Sequence, residues 1–218
     1  MTIEAVIWDF GGVLTTSPFE AFRAYEAARG LPRDFLRSVN ARNPHDNAWA
    51  RFERAEIDAV AFDRAFADES EALGARVRGA DILPLLSGAI RPAMVAALKA
   101  CKARFKTGCI TNNVPMGAGP GMTADPAKAA AVAEIFALFD HVIESSKAGL
   151  RKPDPRIYEA MCVALAVAPA ACVYLDDLGI NCKPAAVLGM VAIKVDDEAQ
   201  ALDDLARALG GRIWEPQS

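Results

Sequence analysis

The sequence predicts an α/β fold: a doubly wound parallel sheet with a small helical cap inserted after the first strand. Three observations predict it. Short apolar runs rich in β-branched residues alternate with helical patterns, as expected of a parallel sheet covered on both faces. One long segment, 16–86, breaks that alternation and reads as helical throughout. The first apolar run, in "AVIWDFGGVL", ends in a carboxylate, Asp9, with Gly11 and Gly12 close behind.

The strands are read in order as "IEAVIW" at 3–8, "TGCITN" at 107–112, "HVIESS" at 141–146, "CVYLDD" at 172–177 and "MVAIKV" at 190–195. The spacing predicts a helix over 91–103, with Pro92 near its start, and another over 126–138. A third opens at Asp154-Pro155, an N-cap followed by proline at the first helical position. A fourth covers 183–188 and stops near Gly189. The last spans 196–209 and ends at Gly210-Gly211. The "GAGPGM" stretch at 117–122 reads as a loop.

The inserted segment carries Phe19, Phe22, Tyr25, Phe35, Trp49, Phe52, Phe62 and Phe66. Aromatics at helical spacing build a core between helices more often than a ligand box. The division expected is 1–15 with 87–218 as the α/β core, and 16–86 as the cap. An insertion after the first strand sits over the C-terminal end of the sheet, where open α/β folds bind ligands.

Composition narrows the function. Apolar residues make up 53% of the 218 positions, enough for a sizeable core. Lys and Arg number 24 against 28 Asp and Glu, a net charge of -4, which disfavours a nucleic-acid surface. The five cysteines form no CxxC pair, and His45 and His141 lie far apart, so a zinc site is not supported. Buried reduced thiols in a cytoplasmic protein are expected instead. Glu4 and Asp9 interrupt the apolar N-terminus, and Lys128 and Glu134 interrupt 127–139. Neither a signal peptide nor a membrane span is expected.

The strand ends carry the chemistry. Asp9 closes the first strand, Thr111, Asn112 and Asn113 the second, and Asp176 and Asp177 the fourth. "KAGLRKPDP" after the third supplies Lys152. Taken singly, Asp9 is a turn former, Thr111 a strand-end hydroxyl, and Lys152 and Asp176-Asp177 are solvated charges. A parallel sheet gathers these ends along one edge. Crowded carboxylates repel unless a cation holds them, and oxygen-only ligands select a hard ion, most simply Mg²⁺.

In "DFGGVLT" at 9–15, "ITNN" at 110–113, "GLRKPDPRIYE" at 149–159 and "YLDDLGIN" at 174–181, the sequence resembles the haloacid dehalogenase-like hydrolases. It is similar in particular to the N-terminal phosphatase-like domain of soluble epoxide hydrolases. The resemblance covers the whole chain and implies a Rossmann-like core. It implies Asp9 as a nucleophile that forms an aspartyl-phosphate. It implies Mg²⁺ held by Asp9, the Gly11 carbonyl and Asp177, with Asp176 nearby or acting through water. Thr111, the Asn112 amide and Lys152 would hold phosphoryl oxygens, and Asn181 would tie up the acidic loop. The partner implied is a small phosphorylated or halogenated substrate, with no nucleic acid and no membrane.

One position departs from the phosphatases of that family, which usually carry a second aspartate two residues after the nucleophile as general acid and base. Gly11 stands there and can do neither; such help is worth about 10²–10⁴-fold in rate. A phosphatase of substrates with good leaving groups, a dehalogenase, whose halide leaves without a proton, and a non-catalytic binding module are the alternatives. His45, Asp46 and Glu53 are the cap residues that could replace the acid. Arg23, Arg42, Arg51 and Arg54 are read as partners of Glu20, Asp46, Glu53 and Glu56, and Trp49 as core.

Overall fold

The computed structural model describes residues 2–115 and 125–214, so the loop expected at 117–122 lies outside the described residues. Its sheet has five strands, all parallel: β1 (Ala5–Trp8), β2 (Lys106–Thr111), β3 (His141–Glu144), β4 (Cys172–Asp176) and β5 (Val191–Lys194). The order across the sheet is β3-β2-β1-β4-β5. The chain moves outward one way from β1 and then returns to its other side. This reversal leaves a crevice at the C-terminal ends of β1 and its neighbours.

Alternation along β1 divides the core. Val6 and Trp8 face the cluster built with Met94, Leu98 and Leu205, whereas Ala5 and Ile7 face the cluster of Ile157, Tyr158 and Met161. Eleven α-helices are described, numbered in chain order. On the first face lie α6 (Pro92–Lys102), α7 (Pro126–Phe136) and α11 (Glu198–Ala208). On the second lie α9 (Pro155–Leu165) and α10 (Gly179–Val187). As its sequence predicts, α9 starts at Asp154, whose side chain accepts the Arg156 N–H.

The helical segment comprises α1 (Phe19–Arg29), α2 (Phe35–Ala41), α3 (Ala48–Glu53), α4 (Ala59–Glu71) and α5 (Gly79–Ile82). It has its own core. Phe22, Phe35, Phe52, Phe62 and Phe66 are buried, and the Phe52 and Phe62 rings stack at 4.7 Å. The segment leaves and returns through an antiparallel bridge, Thr15 with Ile90, flanked by the bonds Thr16 N–H to Ala89 C=O and Arg91 N–H to Leu14 C=O.

Most element boundaries lie one or two residues from the sequence reading, and two differences have a visible cause. The third strand stops at Glu144, and Ser145–Ala148 turns into the short helix α8, because the Ser145 hydroxyl exchanges hydrogen bonds with the Asn113 backbone. The helix expected at 183–188 starts earlier, at Gly179. Gly179, Asn181 and Pro184 are poor helix formers, but the helix is seeded from outside by the Asp176 carboxylate, which accepts the Leu178 N–H at 2.8 Å.

Candidate active site

β1 delivers Asp9 to the sheet edge, where it is nearly fully buried. Its Oδ1 accepts the Phe10 N–H at 2.7 Å, and its Oδ2 lies 2.8 Å from Lys152 Nζ. Lys152 comes from the loop between α8 and α9, is 1% exposed, and also reaches Asp176 Oδ2 at 2.7 Å. One ammonium thus ties the end of β1 to the end of β4.

Asp176 is saturated. Besides Lys152, it accepts the Tyr174 hydroxyl at 2.5 Å, the Leu178 N–H, and Asn181 Nδ2 at 3.0 and 3.1 Å. A carboxylate offers about four lone-pair positions, and these donors occupy them. Asp177 accepts only Ser17 Oγ, at 3.1 Å, among the side chains described. Asp9, Asp176 and Asp177 each place a carboxylate oxygen within 4.8 Å of the others.

The charge balance is unfavourable without a further cation. Burial pushes the Asp9 carboxyl well above the usual carboxylate range; Lys152 draws it part-way back, and Asp176 and Asp177 push it up again. Asp177 is pushed up to about 6, by burial first and by Asp176 second. Burial alone would pull Lys152 down, but Asp176 and Asp9 outweigh it and hold the ammonium above its ordinary value. Three carboxylates face one ammonium, and every donor is oxygen. The set fits a hard divalent ion, with free coordinating capacity on Asp9 and Asp177 rather than on Asp176.

Gly12 makes room for this arrangement. Its φ is +75°, and a Cβ there would lie 2.2 Å from Asp177 Oδ2. Gly11 is different. A Cβ on it would meet nothing within 4 Å, so it opens onto the cavity it lines.

That cavity, of about 430 Å³, has Asp9, Thr111, Lys152 and Asp177 in its lining. Thr111 is buried, and its hydroxyl makes no hydrogen bond among the described residues. Asn112 turns its side chain away from this task. Its Oδ1 accepts the Lys152 N–H at 2.9 Å and its Nδ2 donates to the Lys152 C=O at 3.1 Å, bracketing the lysine's backbone. Asn181, besides holding Asp176, accepts the Tyr158 hydroxyl on its C=O at 2.8 Å.

The proton-donor alternatives fare unequally. His45 and Asp46 are exposed, whereas Glu53 is buried. Glu53 was expected to pair with an arginine of its own segment; it pairs instead with Arg151 at 2.6 Å. Of the arginine pairs expected there, Arg54 with Glu56 forms. Trp49 packs in the helical core as expected and also lines the cavity. The sequence reading missed Ser17, Arg151, Tyr158 and Tyr174. Tyr174 had a signal: two residues before Asp176 on a strand, it shares the same face. All five cysteines are buried and free, and no helix described is long and apolar enough to cross a membrane.

Comparison with known proteins identifies the family. The profile of the haloacid dehalogenase-like hydrolases matches residues 3–189. The chain belongs to this family. As a haloacid dehalogenase-like hydrolase it is 32% identical over 213 residues to mouse acyl-CoA dehydrogenase family member 10, covering 95% of this chain and 19% of that protein. It is 32% identical to mouse bifunctional epoxide hydrolase 2, covering 99% of this chain and 40% of that one. The chain therefore spans less than half the length of these two relatives. Phosphatase MT3486 of Mycobacterium tuberculosis (strain CDC 1551 / Oshkosh) is 29% identical, covering 96% of this chain and 94% of that one. Among solved structures, an L-2-haloacid dehalogenase from Xanthobacter autotrophicus superposes with a TM-score of 0.60 at 20% identity, covering 98% and 85%. A Bacteroides thetaiotaomicron enzyme of the family, complexed with magnesium and inorganic phosphate, gives 0.56 at 17%, covering 90% and 96%. The structural likenesses carry the shared fold.

Proposed function

We propose that this hydrolase is a Mg²⁺-dependent phosphatase of small organic phosphates that works through an aspartyl-phosphate on Asp9. The observation that carries the reading is the meeting of Asp9 and Lys152 at 2.8 Å in the wall of a cavity that Thr111 also lines and that is large enough for an organic ester. The phosphatase among the relatives, and the neighbour complexed with magnesium and phosphate, support it.

Mg²⁺ would be held by Asp9, Asp177 and the Gly11 carbonyl, with Asp176 behind them, and would supply charge neutralisation for the carboxylates and the phosphoryl group. The chain's own residues supply the rest. The free oxygen lone pair of Asp9 attacks phosphorus; the new P–O bond forms as the bond to the leaving oxygen breaks. Lys152, Thr111 and the Asn112 amide hold the phosphoryl oxygens as charge shifts onto them. Water then attacks the same phosphorus, phosphate departs and the Asp9 carboxylate is regenerated.

Asp176 acts in this scheme as the anchor of Lys152. The segment 16–86 serves as the cap: its Phe19, Phe22 and Trp49 line the cavity, with Val114 and Val132 from the core, so the substrate's organic body meets apolar walls. Gly11 donates no proton, so leaving groups stable as anions, such as acyl or aryl oxygens, are favoured. Hydrolysis of acetyl phosphate and p-nitrophenyl phosphate with and without Mg²⁺ tests the reading. Turnover that needs Mg²⁺ supports it, and no phosphate release from any ester refutes it.

The glycine at position 11 also favours a second reading, a dehalogenase, because a halide leaves without a proton. Halide release from 2-chloropropionate that continues in chelator would select that reading over the phosphatase.

A further inference from the structure

The helical segment touches the phosphoryl side of the site through one buried carboxylate. Glu53 ends α3. Its Oε1 accepts the Trp49 indole N–H at 2.9 Å, and its Oε2 accepts Arg151 Nε at 2.6 Å and Asn112 Nδ2 at 3.3 Å. Arg151 also donates Nη1 to the Pro44 C=O at 3.1 Å, a second tie to the same segment. The two residues that Glu53 grips outside its own helix, Arg151 and Asn112, both bear on Lys152. Arg151 precedes it in the chain, and the Asn112 amide brackets its backbone N–H and C=O.

We infer that Glu53 is a positioning residue: it couples the docked helical segment to the Asn112–Lys152 pair and fixes the height of the lysine over Asp9. This inference rests on the phosphatase reading for the role of Lys152, but not for the coupling itself. It also removes Glu53 from the proton donors. Both its oxygens act as acceptors toward three N–H donors, and its charge is committed to Arg151, so it has no proton to pass to a leaving group. The site therefore gains from the cap a means of alignment, not the missing acid. A charge-assisted pair joining segments 98 residues apart in sequence suits alignment, because it fails when the segment shifts by an ångström or two. Misplacement of that order costs about 10²-fold in rate in positioned reactions.

The test uses Glu53→Gln, Arg151→Met and the double variant of the whole chain. Two readouts are taken: steady-state kinetics on p-nitrophenyl phosphate with Mg²⁺, and amide hydrogen exchange without substrate. Arg151 keeps part of its side chain in solvent, so its variant isolates the tie even where Glu53→Gln fails to fold. Alignment predicts that kcat falls about tenfold or more in either single variant with KM changed less. The double variant should be no worse than the poorer single one, and exchange at Asn112 and Lys152 should quicken. Wild-type kcat and wild-type exchange in Arg151→Met would overturn the inference. So would loss of turnover in Glu53→Gln alone, with the alkaline limb of the pH profile altered, which would make Glu53 the proton donor. If the wild-type chain hydrolysed no phosphate ester, the functional reading would fail, while the exchange data would still decide the coupling.

Discussion

Gly12 and Asp177 fit against each other so closely that any side chain at position 12 must push the carboxylate aside. A Cβ on Gly12 would fall 2.2 Å from Asp177 Oδ2, and the backbone there has φ +75°. The glycine is thus required twice, for its conformation and for the space it leaves to a carboxylate. Gly12→Ala must displace Asp177. We expect it to fold and to weaken Mg²⁺ binding by at least about tenfold, given the 10–100-fold typical when a metal ligand loses its support. Isothermal titration of the two proteins with Mg²⁺ checks this.

Gly11 is the opposite case, since a side chain there meets open cavity. Gly11→Asp should therefore restore an acid and base without disturbing the fold. For alkyl phosphates, whose leaving oxygen needs a proton, kcat should rise by about 10²–10⁴-fold. For p-nitrophenyl phosphate the gain should be small. A plot of log kcat against leaving-group pKa reads the effect as a flatter slope in the variant.

Asp177 should make the metal-free protein pH-sensitive. Its folded value, about 6, lies above the roughly 3.9 of an unfolded aspartate. The fold thus disfavours its ionised form. Well below pH 4 the group is protonated in both states and costs nothing; as pH rises from about 4 to about 6 the unfolded chain ionises while the folded protein resists, so stability falls, and above 6 the loss is complete. Asp177→Asn escapes that loss. In chelator at pH 7 the variant should be more stable than wild type by on the order of 1–3 kcal/mol, and the two should converge near pH 4. Added Mg²⁺ should stabilise wild type and leave the variant nearly unchanged. Urea unfolding across pH, with and without Mg²⁺, gives each quantity.

Tyr174 supports the site from beneath. Its hydroxyl donates to Asp176 at 2.5 Å, and burial, with Asp176 next, holds its own pKa well above the ordinary tyrosine value, so it stays a donor. Tyr174→Phe keeps the ring contact with Tyr158 and removes one bond to a buried carboxylate. The loss should be about 1.5–3 kcal/mol, a fall of several degrees in Tm. Differential scanning calorimetry measures it.

The parts of the fold legible in the sequence were those that local pattern dictates. The apolar runs read at 3–8 and 107–112 supply the strands Ala5–Trp8 and Lys106–Thr111 because little in them suits another environment, and Asp154-Pro155 starts a helix by its own chemistry. Asp9, Thr111, Lys152, Asp176 and Asp177 do come together at one edge, since strand ends in a parallel sheet have nowhere else to go. What escaped depended on long-range contact. The start of α10 is set by the Asp176 carboxylate against the preferences of its own residues. The pairing of Glu53 with Arg151 depends on how a whole helical segment folds back over the sheet. Charge spacing along α3 pointed to local partners, and the tertiary partner won because it lies within the buried seam.

The central claim is that Asp9 is the nucleophile that accepts the phosphoryl group. Acid quenching during turnover of acetyl phosphate, followed by peptide mass spectrometry, tests it most directly. The account predicts one phosphoryl group on the peptide carrying Asp9. In Asp9→Asn that adduct should be absent, and the rate should fall by more than about 10³-fold. A phosphorylated peptide from elsewhere in the chain, or an Asp9→Asn protein that turns over at the wild-type rate, would contradict it.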